Sequence, residues 1–472
     1  MSRPLRDYPI LDKDLGRISN AEHASVQSLR PVIRFGIALI LVALVALAAI
    51  GGLGHHPSVG LIVAGLAVGT YLALSIGGND VANSLGPAVG AGAIGLTTGL
   101  LLVGMMQVAG AVLAGGGVTG RLADGIVMPG AGGSGADGAR IMVAALFAAA
   151  TWISLATWAE APVSTTHSIV GAILGAGVVT LGWQAVNWHS LAAITAGWVI
   201  SPLVSGMLAA GLMALLHVLI RDRDDPLLAA RTWLPWMIAL TAGLFVGNIL
   251  NAALAQPPTV AATVGLAVAA AAWVQARIGI TRQIRSKNSP RAAMKAVFRL
   301  PLVGAALLMG FAHGANDAAN VIAPLSTIFA GAQSGALRIE GWMPLLAGLG
   351  IAAGAILFGR RLVHMVGSKI TRLNSARAFC VLMATALTVI GASVAALPVS
   401  TTHVAVGGVF GVGFYREWRD RRRAKSAAAL PVEEKARRQL VRRSHVRTIF
   451  GAWLITVPAA ALLSAALTAL IF

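Results

Sequence analysis

Two stretches place an aspartate between asparagines inside otherwise apolar sequence: IGGNDVANSLGPAVGAG at residues 76–92 and HGANDAANVIAPLSTI at residues 313–328. Asn79, Asp80 and Asn83 of the first correspond to Asn316, Asp317 and Asn320 of the second. A carboxylate among hydrocarbon neighbours is costly and is a functional hypothesis by default. On a helix, Asp80 and Asn83 share a face at i, i+3. Carboxylate, amide and backbone carbonyl oxygens together suit a hard cation, or accept a proton. The alternative is an internally paired aspartate that only holds helices together; its occurrence twice, at equivalent positions, favours function. Gly77, Gly78 and Pro87 in one copy, and Gly314 and Pro324 in the other, predict a loosened or broken helix at the motif. Such backbone is tolerated in a membrane where it lines a cavity or is buried in protein.

A second motif has the opposite chemistry. PVSTTH occurs at 162–167 and again at 398–403. Proline followed by Ser-Thr-Thr and an apolar run is a helix start. The free N–H groups and positive dipole end there attract an anion. Ser164, Thr165 and Thr166, with Ser400, Thr401 and Thr402, add hydroxyl donors. These hydroxyls either cap the helices, contact a ligand, or do one in each of two states. His167 and His403 close the motifs and either titrate or bond the backbone. An oxyanion beside two carboxylates is repelled unless a cation or protons accompany it, which is a physical reason for symport.

These motifs need elements that bring them together. Asp80 and Asp317 align at an offset of 237, with five of ten surrounding positions identical, and PVSTTH repeats at 236. The chain therefore holds a duplicated unit, 58–219 and 300–472. Residues 1–57 precede it as a polar segment and an extra first helix, and 220–299 connect the copies. Residues 359–377 carry five basic side chains and no acid, against two of each in the counterpart 120–140. Residues 416–447 carry twelve, whereas 183–190 carry none. Under the positive-inside rule the copies have opposite topology, with the N-terminus cytoplasmic and the C-terminus periplasmic. Thirty-three of 36 Lys and Arg then fall in cytoplasmic segments. Inverted repeats place a site near the bilayer midplane, where they meet.

Composition agrees. The 472 residues are 57% hydrophobic and 11% charged, against roughly 25% charged for a soluble domain. The expected fold is an all-α polytopic membrane protein of two inverted-topology repeats, with broken or re-entrant helices and about 11–12 spanning segments. The net charge of +19 lies between spans, which argues against a nucleic-acid partner. Duplicated half-sites suit no nucleophile–base–orienter set, so an intramembrane hydrolase is disfavoured and no catalytic residue is assigned. A channel needs weak multi-site binding along a pore rather than one charged central site.

GGNDVANSLGPAVGAGA, AHGANDAANVIAPL and the two PVSTTH segments resemble the PiT family of inorganic phosphate transporters, over nearly all of the chain beyond residue 55. The resemblance implies phosphate uptake with sodium or protons by alternating access, without a cofactor, often as a homodimer. It places Asp80, Asn83, Asp317, Asn320 and the Ser-Thr-Thr hydroxyls at the ion and phosphate site, with Asn79 and Asn316 beside the aspartates. Sodium-coupled members commonly carry a glutamate where this chain has Gln107, in GMMQVAGAVLAGG. A neutral amide there favours proton coupling; sodium, if used, falls to Asp80 and Asp317. The large cytoplasmic insert of animal members is missing, which implies a bacterial inner membrane. Sulfate remains an alternative substrate. His313 faces Ile76 in the alignment, which suggests a structural or tuning role, and Glu160 is expected near the outer face.

Overall fold

A computed structural model describes residues 9–53, 58–123, 126–127, 135–333, 339–367, 373–424 and 443–471. Among them, ten helices are long and apolar enough to cross a membrane, and two shorter apolar helices span Thr165–Leu181 and Trp342–Phe358. That agrees with the expected polytopic helical fold. Much of the basic segment 416–447 lies outside the described residues.

The first copy comprises α2 (Val59–Gly90), α3 (Leu96–Ala114), α4 (Gly116–Ala123), α5 (Gly135–Trp158), α6 (Thr165–Leu181) and α7 (Trp188–Leu216). It follows α1 (Pro9–Leu53), a peripheral helix that leans on α2. A connecting pair, α8 (Pro226–Asn248) and α9 (Pro258–Arg285), and the short α10 (Pro290–Val297) come next. The second copy comprises α11 (Arg299–Asp317), α12 (Ala319–Gln333), α13 (Trp342–Phe358), α14 (Arg360–Met365), α15 (Ser375–Val394), α16 (Thr401–Ala424) and α17 (Arg443–Ile471).

The two copies interleave. Helix α2 packs on α13 while α11 packs on α3; α6 packs on α17 while α16 packs on α7. Glycine makes this possible. A Cβ on Gly77 would lie 1.8 Å from the Ile351 carbonyl oxygen, and one on the equivalent Gly314 would lie 2.0 Å from that of Gln107. These glycines permit backbone-to-backbone approach, the usual device of helix association in lipid. They do not break α2, which runs unbroken through Gly77, Gly78 and Pro87. Only the second copy of the Asn-Asp-Asn motif is interrupted, by one residue, Ala318.

The true discontinuities fall at PVSTTH. Glu160 and Ala396, at matching positions, take φ of 57° and 54°. Each ends its helix in a Schellman motif: Ala161 N–H bonds Ala156 O and Glu160 N–H bonds Thr157 O; Leu397 and Ala396 repeat this with Ala392 and Ser393. Non-glycine residues at that position carry left-handed strain of about 1 kcal/mol. The chain then runs extended to Ser164 and re-enters a helix, so α5–α6 and α15–α16 form two hairpins whose tips meet.

Candidate functional site

The hairpin tips are tied to each other across the copies. Thr166 donates to the carbonyl of Val399 at 3.2 Å, and Thr402 lies 3.2 Å from that of Val163. The asparagine preceding each aspartate grips its own copy's tip. Asn79 Oδ1 accepts from Val163 N–H at 3.3 Å, and Asn316 Oδ1 accepts from Val399 N–H at 3.4 Å. Thr165 donates to Asp80 at 2.8 Å, and Thr401 donates to Asp317 at 3.2 Å. Asn83 donates to Thr402 Oγ1 at 2.9 Å and approaches Asp80 at 3.4 Å, as their i, i+3 spacing predicts. Every one of these residues is at most 7% exposed, so protein seals the cluster from both sides.

Ser164 and Ser400 are caps in this state. Their hydroxyls accept from the N–H groups of His167 and His403 at 3.1 and 3.2 Å. The two imidazoles pack against each other behind the tips, tilted by 44° with 4.4 Å between centroids, and Trp198 covers His167 at 3.7 Å. Trp198 lies within α7, away from both of its ends.

The centre of the site is His313. Its Nε2 lies 2.8 Å from Asp317 Oδ2 and 3.8 Å from Asp80 Oδ2. Its Nδ1 lies 2.8 Å from Gln107 Nε2. With the amide donating to Nδ1, the ring proton sits on Nε2, close to both carboxylates but outside hydrogen-bond geometry to either. The close approach of α11 to α3 at Gly314 is what brings Gln107 to this ring. The alignment of His313 with Ile76 suggests a structural or tuning role, and the structure puts His313 beside both carboxylates. The available signal was its i, i+4 spacing to Asp317, which places both on one helix face.

Glu160 differs from expectation. It pairs with Arg361, in the basic segment 359–377, and therefore lies on that segment's side of the molecule. The cause is the hairpin: Glu160 sits in the turn between α5 and α6, beside the helix starts that form the site.

A carboxylate oxygen of Asp80 and of Asp317 and a nitrogen of His313 lie within 4.8 Å of one another. Two ionised carboxylates about 5 Å apart repel by about 3 kcal/mol at an effective dielectric near 20. A cation, a proton or the imidazole edge must offset this. The oxygens of Asp80, Asp317, Thr165, Thr401 and the asparagines fit a small hard cation, whereas imidazole is a poor ligand for one.

A profile of the phosphate transporter family matches residues 76–464. The chain belongs to that family. It is 32% identical to a Helicobacter pylori phosphate permease over 522 aligned residues, covering 96% of this chain and 98% of the relative. A Thermococcus kodakarensis phosphate permease is 34% identical, covering 85% and 95%. Among solved structures, a sodium-dependent phosphate transporter superimposes with a TM-score of 0.79 at 32% identity, covering 87% of this chain and 99% of its own. The family, the ten apolar helices and the relatives make this a multi-pass membrane transport protein of the PiT type, as the motifs implied, and point away from an enzyme.

Proposed function

We propose that the chain carries inorganic phosphate across a bacterial inner membrane by cation symport and alternating access. One observation carries this reading: two helix N-termini, one from each copy, converge on two buried aspartates. The N-terminal ends of α6 and α16 supply N–H groups and positive dipole ends for the anion. Thr166 and Thr402 are the natural phosphate donors, since the carbonyls they now hold are mutual seals of the hairpin tips. Withdrawing either tip breaks the bonds of Thr166 and Thr402 and opens the site to one side only. Ser164 and Ser400 can turn from cap to ligand as a tip moves.

Asp80 and Asp317, with Asn79 and Asn316, hold the coupling cation. Phosphate binds once that cation offsets the paired carboxylates, which couples the two. The sodium dependence named for the solved relative supports sodium; Gln107 in contact with His313 supports protons. Opposed topology of the two copies, a cytoplasmic N-terminus, a periplasmic C-terminus and a homodimer complete the proposal.

The test is labelled phosphate uptake into proteoliposomes under a sodium gradient or a proton gradient imposed separately, with sulfate as competitor. Accumulation driven by sodium assigns the oxygen cluster to sodium. Accumulation driven only by protons assigns the charge change to the buried cluster around His313. Failure of either gradient to drive accumulation rejects symport, and absence of counterflow leaves a channel. Displacement by sulfate would make the protein a broader oxyanion carrier.

A further inference from the structure

Away from the hairpin tips, a cavity of about 770 Å³ opens at the ends of α7, α8, α10, α11 and α15. Its floor is apolar, built from Leu216, Ile220, Met294 and Phe298. Its rim is cationic, with Arg221, Arg291 and Lys295. Arg291 and Lys295 stand i, i+4 apart and share one side of α10, a short helix that buries Ala293 and Val297 on the other. Such a helix has the character of an interfacial one, lying where hydrocarbon meets headgroups.

The three cations are available. None of them is in an ion pair among the described residues. Of the nearby acids, Asp225 is spent capping α8, accepting from Leu227 and Leu228 N–H at 3.0 Å, and Asp222 is bound by Arg419. Asp224 is the remaining acid in the lining. The side chains of the rim therefore face the cavity with an excess of positive charge, above a floor that water solvates poorly.

We propose that this cavity binds an acidic phospholipid, with the headgroup phosphate between Arg221, Arg291 and Lys295 and the proximal acyl chain on Leu216, Ile220, Met294 and Phe298. Basic pockets between spanning helices recognise anionic headgroups in this way. Orthophosphate alone has no use for the apolar floor, and a zwitterionic lipid gains nothing from three unpaired cations. The bound lipid would bridge α7, α10 and α15 beside the α8–α9 pair and stabilise their junction.

The experiment is native mass spectrometry of the full chain in micelles, with phosphatidylglycerol or phosphatidylcholine added, alongside thermal unfolding with either lipid or with inorganic phosphate. Wild type should retain phosphatidylglycerol over phosphatidylcholine, and phosphatidylglycerol alone should raise the unfolding midpoint. The exposed pair Arg291→Gln/Lys295→Gln should weaken retention about thirtyfold, the product of two interfacial cations. Met294→Glu, which spoils the floor and leaves the rim, should weaken it as well. Equal retention of phosphatidylcholine, or unchanged retention in the charge variant, would overturn the proposal. Protection by inorganic phosphate without lipid would also overturn it, and would assign the rim to free phosphate.

Discussion

The two halves of the central site are built from the same motif and are not bonded alike. In the first half, Asn79 donates to Thr157 at 2.9 Å, and Asn83 donates to Thr402. In the second half, Thr157 is replaced by Ser393, whose hydroxyl is buried without a partner. Asn320, equivalent to Asn83, is 1% exposed and has neither its amide nitrogen nor its oxygen bonded. Unpaired buried polar atoms cost roughly 1–3 kcal/mol each. At these two positions the first half is bonded and the second keeps donors and acceptors in reserve; elsewhere Ser84 Oγ of the first half is also unpaired, and Asn316 Nδ2 of the second bonds Asp317 and Val399. A ligand gains most by satisfying groups that the fold leaves unsatisfied, which makes Asn320, more than Asn83, the residue to test for cargo contact. His313 adds to the difference, since it lies close to Asp317 and farther from Asp80.

The largest expected effect ignores this asymmetry. Asp80→Asn and Asp317→Asn should each abolish concentrative uptake while leaving insertion and folding intact, because the proposed function places the coupling charge on both carboxylates. Full accumulation by both variants in proteoliposomes would sink the carboxylate role. Next come the equivalent glycines. Gly77→Ala and Gly314→Ala should both destabilise, at or above the upper end of the 1–3 kcal/mol typical of overpacking, because the clash is with backbone. Monodisperse protein with an unchanged unfolding midpoint from either variant would contradict the interleaved helix contacts.

The asparagines separate the halves most directly. Asn83→Ala should lower the unfolding midpoint by removing bonds to Thr402 and Asp80, a loss of about 1–3 kcal/mol. Asn320→Ala should leave stability equal or raised and should raise the KM for phosphate. The reverse pattern would mean that the first half is the adaptable one. Thr157→Ala and Ser393→Ala sharpen the same contrast at smaller scale: about 1 kcal/mol lost in the first and none in the second. Smallest of all, Glu160→Gln should cost no more than about 1 kcal/mol, since its partner Arg361 is largely exposed and such pairs contribute little.

The candidate site was legible because its chemistry repeats. Two aspartates in apolar surroundings and two Ser-Thr-Thr helix starts singled out the residues that the structure gathers, and the i, i+3 contact of Asp80 with Asn83 follows from helical geometry. The location of the helix breaks was half legible. Glycine next to the aspartate is compatible with a bend or with close contact, and the choice depends on what lies opposite. The carbonyl of Ile351 lies opposite Gly77, where the glycine serves close contact, and α2 runs on unbroken. The charge pattern puts Glu160 and the basic segment 359–377 on opposite faces, yet Glu160 contacts Arg361, because the turn of a helical hairpin looks, in sequence, like an ordinary loop between two spans.

The sequence by itself determined the class, the duplication and the residue types of each half-site, since these depend on composition, spacing and local helix chemistry. Tertiary structure alone decided that Asn83 is bonded while Asn320 is not, and that His313, held by Gln107 on α3, stands beside both carboxylates. Those outcomes depend on contacts between residues hundreds of positions apart, where an ångström of approach at Gly314 decides whether a side chain finds a partner.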